Sequence, residues 1–215
     1  MADKRSVNDG NSTVQRGRSP FSRPIDQLGF VVPDLEKAIK GWLELGVGPW
    51  FTMGGAVLED SEYQGKVSVP KIDVALGQSG HLQLELIQPV NDESSSYRDF
   101  LSAGRQGIQH FGYFAEDFET AIAAAEAEGQ KVLQKGSWGG VHFVYYEMTE
   151  LIGSETELIE LNDTSREMFA KIREGADAWD GKTDPVRHIL SPVMRAGYKL
   201  ETMVESVQRW MRART

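Results

Sequence analysis

Residues 27–46 read QLGFVVPDLEKAIKGWLELG, and residues 110–129 read HFGYFAEDFETAIAAAEAEG. Aligned without gaps they coincide at Gly29/Gly112, Asp34/Asp117, Glu36/Glu119, Ala38/Ala121, Ile39/Ile122 and Gly46/Gly129. Leu28/Phe111, Phe30/Tyr113 and Leu35/Phe118 are conservative pairs. A repeat that keeps its register over this length implies a duplicated supersecondary unit. Both copies have the same internal order. A short apolar run alternates as a strand does, an aspartate follows as a helix N-cap, and a glycine ends the helix. In the first copy Leu35, Ile39, Trp42 and Leu43 fall on one helical face. Each copy begins with a side chain that can ligate a metal, Gln27 or His110.

The segments around the repeats complete each unit in the same way. GVGPWF (47–52) leads into a second strand, residues 53–65 read as a loop-rich excursion, and two further strands, 67–76 and 81–88, flank the turn GQSG. After a connector (89–107) with a short helix from Tyr97 to Ala103, the order returns. A strand over 108–115 and the second repeat helix precede strands near 131–134, 141–148 and 157–161. The fold class expected is therefore α+β, with two βαβββ modules at about 25–88 and 108–163. Residues 1–24, rich in Ser, Asn, Arg and Gly, read as a disordered tail. Residues 164–215 form a helical C-terminal extension with one helix over 166–176. A second helix is expected to start at Asp184-Pro185 and to be kinked by Pro192. Leu200, Met203, Val204, Val207, Trp210 and Met211 make an amphipathic stripe beyond it, read as a packing face for the body or a partner subunit.

Composition excludes several function classes. The chain has 215 residues, 40% hydrophobic and 26% charged, as in soluble globular proteins. No apolar run approaches membrane-spanning length and no signal-peptide pattern opens the chain, so a cytoplasmic protein without a membrane partner is expected. The absence of cysteine removes disulfides, thiolate metal sites and cysteine nucleophiles. The net charge of −9 is concentrated in residues 25–163, where 23 acidic side chains face eight basic ones. Such a body repels phosphate backbones, which argues against nucleic acid, and attracts cations.

Strand alternation sets Gln27, Gly29 and Val31 on one face, and likewise His110, Gly112 and Phe114. The last strand of each module adds a carboxylate, Glu85 in LQLELIQPV and Glu160 in TELIELND. A carboxylate on a buried sheet face is costly without a partner. Two of them at equivalent places in a repeat, together with Gln27 and His110, have one coherent explanation: all four converge on a divalent cation.

This pattern resembles the vicinal oxygen chelate superfamily, which includes glyoxalase I, methylmalonyl-CoA epimerase, extradiol dioxygenases and bleomycin-resistance proteins. The similarity covers roughly residues 25–163. It implies two paired βαβββ modules in a curved mixed sheet, the glyoxalase/bleomycin resistance fold, with metal ligands on the first and last strands of each module. It also implies one divalent ion (Zn, Ni, Co or Mn) and a homodimer. The eukaryotic-type zinc glyoxalase I uses Gln, Glu, His and Glu in that order, which Gln27, Glu85, His110 and Glu160 match. The epimerases use His, Gln, His and Glu, so this chain departs from them at Gln27 and Glu85. Local wording is nevertheless nearer the epimerase-like branch, in VPDLEKAI, ELIQP and the connector ending GIQH. With a single histidine among the four, the site does not suit the two-His-one-carboxylate iron centre of the dioxygenases.

The chemistry implied is polarisation of a carbonyl by the cation and removal of an adjacent proton by Glu160 or Glu85. That makes an isomerase or epimerase acting on a small-molecule carbonyl substrate. Alternatives are a glyoxalase I-type lactoylglutathione lyase and a non-enzymatic protein that binds a drug or hydrophobic ligand. Candidate substrate contacts are Lys71, on a strand near where epimerase relatives carry a catalytic glutamate, and the aromatic residues Trp50 and Tyr145, alongside Phe51 and Phe143. His142 is a further candidate, with core packing the alternative, and His81, beside a turn, is expected to face solvent. No phosphate-cradling glycine loop, nucleophile elbow or zinc-protease motif is present.

Overall fold

The computed structural model describes residues 19–189. The strands are β1 (Gln27–Val31), β2 (Trp50–Val57), β3 (Glu59–Tyr63), β4 (Lys66–Val67), β5 (Lys71–Ser79), β6 (Leu82–Pro89), β7 (Gly107–Ala115), β8 (Val132–Trp138), β9 (Val141–Tyr146), β10 (Glu155–Glu160) and β11 (Val186–His188). The helices are α1 (Leu35–Glu44), α2 (Ser96–Ser102), α3 (Phe118–Ala127), α4 (Thr149–Ile152) and α5 (Asp163–Asp177). The repeated aspartates cap their helices as the sequence predicts. Asp34 accepts from the Lys37 amide and Asp117 from that of Thr120, at 2.9 and 3.1 Å.

All strands form one mixed sheet in the order β11-β2-β5-β6-β1-β7-β10-β9-β8-β3-β4. Each module lays its first strand parallel to its last, β1 on β6 and β7 on β10. The antiparallel pairing of β1 with β7 then joins the two modules within a single chain. The connectivity forces the sheet to curve. Only Leu58 separates β2 from β3, yet these strands stand eight places apart in the order. A flat sheet would put them about 38 Å apart at ~4.8 Å per strand. One linking residue reaches only about 7 Å. The sheet must therefore curl until its two ends approach.

Curvature gives the sheet an outer and an inner face with separate cores. On the outer face α1 packs over Trp50, Ala75, Leu84 and Leu86, and α3 covers Val144, Tyr146 and Leu158. The inner face gathers Val74, Ile87, Phe143 and Ile159, and here α5 inserts Met168, Phe169 and Ile172.

Four features depart from the sequence reading. The excursion at 53–65 is not loop-rich. It continues β2 to Val57 and supplies β3, whose partner β8 lies more than 70 residues away, beyond the reach of local patterning. Asp184-Pro185 opens no helix among the described residues. Asp184 has φ +45° and the chain enters β11, which extends the sheet edge alongside β2. Residues 19–24 do not belong to a tail. The Phe21 ring meets Tyr113 and Tyr146 edge-on at 5.3 and 5.6 Å, and Arg23 Nη1 donates to the Phe114 carbonyl at 2.7 Å. Strand β10 begins at Glu155, two residues before the predicted start. Residues 1–18 of the predicted tail, Pro192 and the amphipathic stripe at 200–211 lie outside the described residues.

Candidate metal centre

The seam between the modules builds the centre. In the antiparallel register of β1 and β7, Gly29 stands opposite His110 and Gln27 opposite Gly112. The two repeated glycines thus exchange roles across the seam. A Cβ on Gly29 would lie 1.8 Å from His110 Cε1, and one on Gly112 would lie 2.8 Å from Gln27 Oε1. Each module's glycine clears space for the other module's polar side chain. The flanking parallel strands repeat the symmetry. Glu85 pairs with Gly29 on one side of the seam, and Glu157 pairs with Gly112 on the other.

Four side chains meet here on the inner face. His110 Nε2 lies 3.4 Å from Glu85 Oε2 and 3.2 Å from Glu157 Oε2. One ligating atom from each of Glu85, His110 and Glu157 falls within 4.8 Å of the others. Gln27 lines the same cavity, its Nε2 donating to Gln83 Oε1 at 2.8 Å, so its carbonyl oxygen is left to face inward. His110 is fully buried. Burial pushes its imidazole pKa down, but the neighbouring carboxylates of Glu157 and Glu85 outweigh this and lift it to about 10. Burial is also the main influence on Glu157 and raises its carboxyl, against the pull of His110.

The ring of His110 is oriented from behind. Gln109 Nε2 donates to Glu155 Oε2 at 2.6 Å and to Ser96 Oγ at 3.2 Å. Its Oε1 is therefore the atom that faces His110 Nδ1, 2.7 Å away, and must accept from it. The proton is held on Nδ1 and Nε2 is turned toward the carboxylates. A histidine that ligates a metal is commonly fixed by this kind of support.

The donor set fits a divalent cation. Gln27 Oε1, His110 Nε2 and Glu157 Oε2 are buried and make no well-aligned hydrogen bond, the 3.2 Å approach of His110 to Glu157 being an ion pair alone. Orphaned polar atoms are rare in protein interiors because each forfeits its hydration. Here three of them converge. Oxygen and imidazole donors suit zinc, nickel, cobalt or manganese.

Of the residues predicted from sequence, Gln27, Glu85 and His110 come together, and Glu160 does not. Alternation along β10 sends Glu155, Glu157 and Ile159 inward and Glu160 to the outer side. There Glu160 accepts from His142 Nδ1 at 2.8 Å and from Asn162 Nδ2 at 3.1 Å. The tripeptide Glu-Leu-Ile carries part of the missed signal. It occurs at 85–87, 150–152 and 157–159, and of these the first and third lie in the last strand of each module, which sets Glu157 beside Glu85 as its counterpart. Lys71 is exposed at the start of β5, while its neighbours Ile72 and Val74 line the cavity. Trp50 is buried beneath α1, with Nε1 donating to Val47 O, and does not reach the cavity. Tyr145 does line it, as do Phe143, Tyr97 and Trp138. Phe51 packs in the inner core and His81 is exposed at a turn.

Comparison with solved structures finds similar chains at low identity. A hypothetical protein, BH1468, of Bacillus halodurans C-125 superposes with a TM-score of 0.50 at 18% identity, over 66% of this chain and 96% of that one. Methylmalonyl-CoA epimerase from Mycobacterium tuberculosis gives 0.46 at 21% identity, over 66% and 91%. A single-residue variant of Streptomyces coelicolor methylmalonyl-CoA epimerase in complex with 2-nitronate-propionyl-CoA gives 0.46 at 19% identity, over 65% and 94%. No curated protein matches the chain in sequence. The family model described as Glyoxalase/Bleomycin resistance protein/Dioxygenase superfamily matches residues 26–146, more than half of the chain. With its duplicated modules and curved, unclosed sheet, the chain belongs to the glyoxalase/bleomycin resistance protein/dioxygenase superfamily.

Proposed function

We propose that this chain is a divalent-metal-dependent enzyme that removes a proton from the carbon next to a carbonyl group, as an isomerase or epimerase does. The observation that carries the reading is the convergence of the buried ligand atoms Gln27 Oε1, His110 Nε2 and Glu157 Oε2, none in a well-aligned hydrogen bond, beside Glu85. These four residues would hold the ion. The ion would supply Lewis acidity to the carbonyl oxygen and so acidify the adjacent C–H bond.

The protein's own groups do the rest. Glu157 takes the role that the sequence reading gave to Glu160, and serves as base. Its burial raises the basicity of the carboxylate above that of a surface glutamate. Glu85 comes from the other module and stands across His110, where it can return a proton on the opposite side. Tyr97 and Tyr145, whose hydroxyls bond to each other at 3.1 Å, offer a hydrogen bond to a substrate oxygen. The apolar walls of Leu58, Val74 and Phe143 exclude water.

The test is metal content followed by proton exchange. Protein purified without chelator should carry near-stoichiometric divalent metal. It should then exchange solvent deuterium into the α-position of small 2-oxo or 2-hydroxy carbonyl compounds. A chain that takes up no divalent metal under conditions that reload a known metalloenzyme would sink the proposal.

A further inference from the structure

The inner face of the sheet is roofed by the chain's own α5. This helix starts directly after β10 in the second module, held by its N-cap Asn162 and by Ser165 Oγ donating to the Glu160 carbonyl at 2.8 Å. Beyond its far end the chain joins the opposite margin of the sheet, where β11 pairs with β2. A helix of 15 residues spans about 22 Å, so α5 strides across the concavity from one module to the other. The fit beneath it is close. Phe169 stacks on Phe114 at 4.5 Å with an interplanar angle of 18°, and a Cβ on Gly175 would lie 2.5 Å from the Phe51 ring.

Met168 and Phe169 line the same cavity as Gln27, Glu85 and Glu157. Under that roof the cavity measures about 70 Å³. A water molecule requires roughly 10–15 Å³ on this measure, so the space takes about five water-sized bodies. Pockets for drug-sized ligands run to about 300–1,000 Å³. The bulk of a glutathione conjugate or an acyl-coenzyme A would have to lie outside this space, at its open side. The lining also holds a buried donor without an acceptor, the indole Nε1 of Trp138.

Resting on the metal-centre reading above, we propose that α5 determines specificity. Met168 and Phe169 limit what enters beside the metal centre to a compact oxygenated carbonyl group, whose further oxygen accepts from Trp138. Uncovering the cleft at these two positions therefore widens the range of ligands.

The experiment uses the full chain loaded with cobalt and two probes that share one chelating head, acetohydroxamate and benzohydroxamate, titrated by visible absorption. In an open apolar cleft the phenyl group would strengthen binding. The native protein should instead favour the methyl compound by about tenfold or more, a difference of ~1.4 kcal/mol. Met168→Ala and Phe169→Leu should each erase or reverse that preference while keeping a cooperative melt. An equal or stronger affinity of the native protein for benzohydroxamate would overturn the proposal, as would a preference unchanged in both variants. Metal-free protein supplies a separate readout. Phe169→Ala should bind benzene, seen as shifts of ¹³C-labelled methionine methyls, and the native chain should not. If the chain takes up no cobalt, the catalytic reading fails, and benzene binding then decides the roof alone. Equal benzene binding by native protein and variant, or none by either, overturns the roof.

Discussion

A methyl group at Gly29 would overlap the imidazole of His110, so Gly29→Ala must displace the ring that completes the centre. The expected result is a stability loss of about 1–3 kcal/mol from overpacking, read by urea denaturation, together with loss of metal binding. The carboxylates separate more sharply. Glu157→Gln should weaken metal affinity by more than about a hundredfold in calorimetry, since the loss of a direct ligand exceeds that of a supporting residue. Glu160→Gln should leave the affinity unchanged, because that carboxylate is bonded to His142 on the other face. Equal losses in the two variants would contradict the geometry. Gln109 acts one step further out, as a positioning residue. Gln109→Leu should cost about 10–100-fold in affinity and redistribute the His110 ring proton, visible in the ¹⁵N shifts of its two ring nitrogens. Three of the four clustered side chains were legible in the sequence because duplication marks them directly. Gln27 and His110 open the repeats, and Glu85 sits in an alternating strand. The fourth was obscured by a local ambiguity. Glu157 and Glu160 both stand next to apolar residues, and a three-residue difference changes the face of a strand. Gln109 and Glu155 carried no signal, since their role depends on contacts between distant strands.

At the level of elements, α5 carries more of the inner core than its length suggests. Ile172 is fully buried there beside Met168 and Phe169. Ile172→Ala should therefore cost about 2–5 kcal/mol by chemical denaturation, whereas Asn162→Ala, which removes the N-cap bond to the Ser165 amide together with the part-exposed bonds of Nδ2 to Gly140 O and Glu160, should cost about 1–2 kcal/mol. A small effect of Ile172→Ala would mean that the helix is not seated against the sheet. The repeat helices were readable because capping aspartate, apolar stripe and closing glycine are all local features. Strands β3 and β11 were not. The EDSEY sequence of β3 lacks a clean apolar alternation and is held as a strand by β8. Strand β11 is three residues long, follows a positive-φ aspartate and depends on its pairing with β2. Such strands are set by their partners, and the Asp-Pro cap signal was overridden by sheet pairing.

Across the whole molecule, the centre couples folding, metal and protons, and the coupling has a definite sign. The His110 imidazole is held at about 10 in the folded chain, above its ordinary value near 6.5. The stability it lends the metal-free protein is thus fully present below pH ~6.5 and is lost as pH rises through about 10. Metal binding runs the other way. The ion must displace the proton from His110 Nε2, and Glu157, which burial also shifts upward, must be ionised to ligate. Apparent affinity should then climb with pH across this window, by up to about tenfold per pH unit for each proton released. A ligand that binds only the folded state stabilises it in proportion to the logarithm of concentration over dissociation constant. The metal-loaded and metal-free melting temperatures should therefore diverge as pH rises from 6.5 toward 9, the apo value drifting down while the metal increment grows. Differential scanning calorimetry at fixed excess zinc or cobalt measures both curves. A gap that stays constant or narrows over that range would show that His110 does not give up a proton to a metal, and that the buried His–Glu cluster is a structural ion network joining the two modules at their seam.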